Sequence, residues 1–199
     1  MKVQLEKTFP MPASAETAWA LLQDIEGVAG CMPGARITER IDEQHYKGTV
    51  SVKFGPASMS FRGEVEVRGI DAATQTLRLF AKGTDTTGSS AASMDLTARV
   101  EAVDAASCNL LGTSEVSMSG KATTFGGRMM GSVADQVLKQ FAANFATQVQ
   151  ALQARQVVDA PAAAPVLAPT QEPAQLNGLA LMWAVIKDWL RSLFGAKKA

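Results

Sequence analysis

The sequence predicts an α+β fold, a curved antiparallel sheet of about seven strands wrapped around one long C-terminal helix. Two observations predict it. Short apolar runs of two-residue period, each closed by a turn signal, fill residues 35–119. From residue 125 the period changes to three or four and stays so to about residue 156. A bent sheet closed by one helix leaves a space, and whether that space is packed or hollow is the functional question.

Residues 3–9 read as the first strand, broken by Pro10-Met11-Pro12-Ala13. Ser14 caps a helix over 15–22, with Thr17 where a full capping box has Glu. Residues 24–27 close that helix, and 28–32 allow at most one further short turn before Pro33-Gly34. Strands follow over 35–41, 45–54, 57–70, 76–83, 93–103 and 107–119. Asp42-Glu43-Gln44, Gly55-Pro56, Asp71-Ala72-Ala73 and Asp104-Ala105-Ala106 supply turns between them. Met59, Phe61, Val65 and Val67 fall on one face while Arg62, Glu64, Glu66 and Arg68 fall on the other, so one face is covered and one wet. In the long helix Met130, Val133, Val137, Phe141, Phe145, Val149 and Leu152 make one apolar stripe.

Composition divides the 199 residues into three parts: a domain over 1–156, a Pro/Ala-rich linker over 157–175, and an amphipathic helix over 176–199. Pro161, Pro165, Pro169 and Pro173 recur every four residues, which predicts an extended, flexible linker. On a helical wheel Leu179, Met182, Trp183, Ile186, Trp189, Leu190, Leu193 and Phe194 share one side, with Lys187 and Arg191 among the polar residues opposite. Those charges argue against a spanning segment and for a helix lying in a membrane interface, two tryptophans at headgroup depth. Packing on a partner's groove or on the chain's own domain is the alternative.

The formal net charge is zero, which removes the basic footprint a nucleic-acid binder needs. The first residues lack an apolar run behind a basic patch, so the chain is expected in the cytoplasm. Cys31 and Cys108 are too few and too far apart for a metal site and read as free thiols. The one histidine, His45, falls in a turn and reads as a surface residue, so no metal and no catalytic set is expected. Nine methionines are many; they fill irregular cores or line adaptable pockets. Monomer is the default state.

Several stretches together carry a resemblance: Phe9-Pro10-Met11-Pro12, Trp19-Ala20-Leu21-Leu22-Gln23-Asp24, Cys31-Met32-Pro33-Gly34-Ala35, residues 48–56 (GTVSVKFGP), Phe61-Arg62-Gly63 and Phe125-Gly126-Gly127-Arg128. Over residues 1–152 the chain resembles the G-subunit family of carbon monoxide dehydrogenase, within the START-like superfamily of polyketide cyclases and lipid-transfer proteins. That resemblance implies a helix-grip fold with an apolar cavity and a non-catalytic accessory role. It further implies binding of a quinone or similar apolar molecule, with no covalent cofactor. The implied partner is a molybdenum hydroxylase such as carbon monoxide dehydrogenase, brought to the inner face of the cell membrane, to which the protein itself attaches peripherally. The expected lining is Trp19, Met32 and Phe54, then Met59, Phe61, Leu79, Met94, Leu96 and Met118 on the sheet. Phe125, Met129, Val133, Val137 and Phe141 complete it from the long helix, with Arg128 as a polar anchor at the mouth. A cyclase or hydrolase of the same fold, or an assembly factor with a solid core, are the alternatives.

Overall fold

The computed structural model describes residues 1–54 and 57–159; the side chains of Phe54, Ala57 and residues 157–159 lie outside it, as do residues 160–199 with the expected tail helix. The elements are β1 (Lys2–Met11), α1 (Ala15–Gln23), α2 (Ile25–Cys31), β2 (Ala35–Arg40), β3 (His45–Phe54), β4 (Ala57–Asp71), β5 (Thr76–Asp85), β6 (Ser90–Ala102), β7 (Cys108–Gly120), a 3-10 turn (Lys121–Phe125) and α3 (Gly126–Asp159). The strands form one antiparallel sheet in the order β1-β7-β6-β5-β4-β3-β2, left open at both edges. This is the predicted α+β architecture.

Three local departures have physical causes. The strand expected to break at Pro10 runs on to Met11, because β1 is an edge strand with one neighbour, β7, and a missing N–H on the free side costs no ladder bond. Where one short turn was expected, α2 is a seven-residue helix. Asp24 serves both helices: its N–H donates to the Leu21 carbonyl at 3.0 Å, closing α1, while its carboxylate accepts from Gly27 N–H at 3.0 Å, opening α2. The β5–β6 hairpin is longer than expected because Asp85 organises its turn. Its carboxylate accepts from Ser90 N–H at 2.6 Å, from Thr87 N–H at 3.3 Å and from the Thr87 hydroxyl. Ser14 caps α1 as predicted, accepting from Thr17 N–H at 3.2 Å. At its far end α3 runs to Asp159, into the stretch expected as linker, since the first proline comes only at 161.

Strand register assigns the faces. Tyr46, Val67, Leu79, Ala98 and Leu110 are buried, and the pairings place Val3, Leu5, Lys7, Val65, Ala81, Met94, Gly112 and Val116 on that same inward side. The outer face is polar: Arg68 stacks 4.0 Å from the Phe80 ring centroid and pairs with Asp95 at 3.0 Å, and Lys82 pairs with Glu64 at 3.1 Å.

The core gathers at one end, where β1 turns into α1 and β7 begins. Phe145 and Val149 of α3 are fully buried there among Trp19, Leu22, Ile25, Met11, Leu77 and Leu110. Side-chain hydrogen bonds reinforce this end. Gln153 Oε1 accepts from Ser14 N–H at 3.0 Å, Gln156 Oε1 from the Thr17 hydroxyl at 3.0 Å, and Asn144 Nδ2 donates to the Cys31 carbonyl at 2.9 Å. Cys31 and Cys108 are buried here and free; burial pushes both thiols up, with the Asp24 charge adding to Cys31.

Candidate functional site: the space between the sheet and the first half of the long helix

At the opposite end the same two layers stand apart. The close approaches of α3 are to α1, α2, β1, β3 and the 3-10 turn, on the flanks and the packed end, rather than to the middle strands β4, β5 and β6. Inward residues show the consequence. Val3, Leu5, Val65, Ala81, Met94 and Val116 keep part of their surface accessible although they face the helix, and so do Val133 and Val137 opposite them. Gly112 is the sharpest marker. It points inward from the middle of β7, and a Cβ built on it would have nothing within 4 Å. An ordinary interior leaves no such room, because cores pack as densely as organic crystals.

The expected lining residues divide by position. Leu96, Met59, Met94 and Met118 are half-buried at inward positions of the sheet, and Phe61 and Leu79 are buried on the same face. Val133, Val137 and Phe141 lie half-buried on α3, the last 5.8 Å from Phe145 between ring centroids. Trp19 belongs to the packed end and walls the space there rather than lining its middle. Met32, just beyond α2, and Phe125, in the 3-10 turn, are half-buried. Arg128 and Met129 do not turn inward: Met129 is 38% exposed, whereas Met130, one residue or about 100° further round the helix, is 6% exposed. Phe54 and every tail residue from Leu179 to Phe194 lie outside the described side chains.

Two features were not expected from the sequence. Lys7, in phase with the apolar residues of β1, reaches Asp135 of α3 at 2.8 Å, and that contact holds the Asp135 carboxyl below the usual carboxylate range. A Lys in an apolar phase was the available signal. At the rim, Ser90 Oγ accepts from Ala122 N–H at 3.0 Å and the Ser89 carbonyl from Lys121 N–H at 3.1 Å, tying the β5–β6 turn to the 3-10 turn that precedes α3. Asp85, at the inward-facing end of β5, is occupied by the turn hydrogen bonds; led by the Thr87 hydroxyl, they hold it below the usual carboxylate range.

The chemistry is therefore that of an oily recess. His45 is exposed, its Nδ1 2.9 Å from the Asp42 carboxylate in the β2–β3 turn. Among the described residues no group of His, Cys, Asp and Glu could hold a metal ion, and no helix is long and apolar enough to cross a membrane. A trough of about 810 Å³ crosses the outer face, but Lys2, Lys47 and Lys82 along it are already paired with Glu115, Glu39 and Glu64. Of the expected lining residues only Met118 borders that trough.

A seven-stranded open sheet, two short helices after the first strand and one long closing helix define a START-like helix-grip protein. Solved structures with this fold include a conserved protein from Geobacillus kaustophilus, with a TM-score of 0.68 and 19% identity, over 75% of this chain and 96% of that one. The Zhui aromatase/cyclase from Streptomyces sp. R1128 matches with a TM-score of 0.55 and 17% identity over 83% of this chain and 100% of its own. A START superfamily protein from Mycobacterium smegmatis matches at 0.52 and 18% over 75% and 98%. At such identities these likenesses concern the fold. No curated protein sequence matches. The chain belongs to the CoxG family, the G-subunit family of carbon monoxide dehydrogenase, whose model matches residues 8–150.

Proposed function

We propose that the protein is a non-catalytic carrier and recruitment module. In this reading the space beneath the first half of α3 takes an apolar guest of quinone type, the domain docks a molybdenum hydroxylase, and residues 176–199 hold the assembly at the cytoplasmic face of the membrane. The observation that carries the reading is the open volume beside Gly112, floored by aliphatic and thioether side chains. Pockets for oily molecules are lined in this way, with few polar groups. Membership of the family supports the accessory role. The exposed place of the chain's one histidine, and the engagement of Asp85 in its turn, support a binding site over a catalytic one.

Native mass spectrometry of protein taken gently from its own membrane fraction tests the guest, with an apolar small molecule expected to copurify. Gly112→Leu sharpens the test by filling the volume at a position with room for a side chain and no positive φ. It is expected to keep the melting temperature and to weaken binding of a short-tailed quinone at least tenfold. Unchanged binding in this variant, together with empty wild-type protein, would remove the carrier reading. Liposome flotation with and without residues 176–199 tests the anchor, and equal flotation of both chains would discard it.

A further inference from the structure

We propose that the seam between β1 and the first half of α3 is the gate of the cavity, and that the Lys7–Asp135 ion pair is its catch. The proposal rests on the cavity reading above and adds to it the route by which a guest passes. It starts from how unequally α3 is fastened. Phe145 and Val149 are fully buried, and Asn144, Gln153 and Gln156 bind α1, α2 and their flanks, all in the second half of the helix. Among the described residues, the side-chain hydrogen bonds and ion pairs that α3 makes with the sheet come down to one: Lys7 Nζ to Asp135 Oδ1 at 2.8 Å.

Place and strength both suit a catch. Lys7 stands opposite Gly112 in the register of β1 and β7, so its stem starts at the edge of the open volume and ends on the flank of the helix. Since α3 packs on the face of the sheet and meets β1 through side chains, it can part from that strand without breaking a ladder hydrogen bond. The two side chains are 40% and 51% exposed, and an exposed pair of this kind is weak and screened by salt. It therefore yields on a thermal timescale, while the packed end holds. A lysine on an edge strand also discourages edge-to-edge pairing, and that role alone leaves guest exchange untouched.

The test is stopped-flow uptake and release of the neutral probe N-phenyl-1-naphthylamine by the full chain. Lys7→Met and Asp135→Asn are each expected to raise both rates by up to about fivefold, the scale an exposed ion pair sets, with Kd unchanged. Wild-type rates should climb toward those of the variants as salt rises to about 1 M, while the variants' rates stay flat. The exchanged pair Lys7→Asp with Asp135→Lys should restore the wild-type rates. Rates equal to wild type in both single variants overturn the proposal. Should the wild type take up no probe, the cavity reading fails by itself, and amide exchange over residues 126–140 then decides. Faster exchange in Lys7→Met and Asp135→Asn sustains the catch, and equal exchange overturns it.

Discussion

The two halves of α3 have similar residue types and opposite surroundings. Phe145 and Val149 meet α1, α2 and the sheet with no surface left over, whereas Val133 and Val137, on the same stripe and facing the same sheet, keep part of theirs. The difference lies in what fills the gap: α1 and α2 sit under the second half of the helix, and no comparable element sits under the first. An apolar stripe thus serves as core where a third layer completes it and stays partly accessible where none does.

Substitutions at the two ends should separate these roles. Phe145→Ala is expected to cost about 3–5 kcal/mol in denaturant unfolding, the range for deleting a fully buried aromatic ring. Val137→Ala, half-exposed, should cost at most about 1 kcal/mol, and comparable losses at both sites would refute a difference in packing. Two glycines give the next largest contrast. A Cβ on Gly63 would overlap the Lys82 carbonyl oxygen, so Gly63→Ala must shift backbone and should cost about 1–3 kcal/mol. Gly112→Ala meets open space and should unfold at the wild-type denaturant concentration.

Smaller effects follow. Ser14→Ala removes the cap of α1 at the packed end and is expected to cost about 1 kcal/mol, read from the same unfolding curves. The smallest effect appears only in acid, at the rim of the open end. Because the folded state holds Asp85 below its ordinary value of about 3.9, the stabilisation is complete above about pH 4 and disappears as pH falls through the depressed folded value. Asp85→Asn should reduce the acid dependence of stability by up to one proton. Asp42, Asp71 and Asp104 are depressed in the same direction in the turns at the packed end, so some acid dependence must remain.

The sequence made the strands legible because alternation and turn residues agree, as in Met59, Phe61, Val65 and Val67 against Arg62 and Glu64. The long helix was legible from its stripe, and the first cap from Ser14. The second helix was hidden because Asp24 ends one helix and starts another, two roles that a linear reading takes as one stop. The looser packing beneath the first half of α3 was hidden for a deeper reason. Periodicity tells which side of each layer turns inward but not how far apart two layers stand, so Met94 and Leu77 read alike although one stays partly accessible and the other is fully buried. Met129 and Met130 differ only by phase, and about 100° separates wall from surface.

The continuity of α3 has one more consequence. From Gly126 to Phe145 the rod spans about 28 Å at 1.5 Å per residue; it is fully packed from about Asn144 onward, and its near end joins the 3-10 turn that Ser89 and Ser90 hold. A tilt of about 5° about Phe145 would carry the tip at Gly126 through about 2.5 Å on this geometry. The helix is thus closely packed along one arm and partly accessible along the other, so that a small tilt at the packed end translates into a much larger change of spacing between its first half and the sheet.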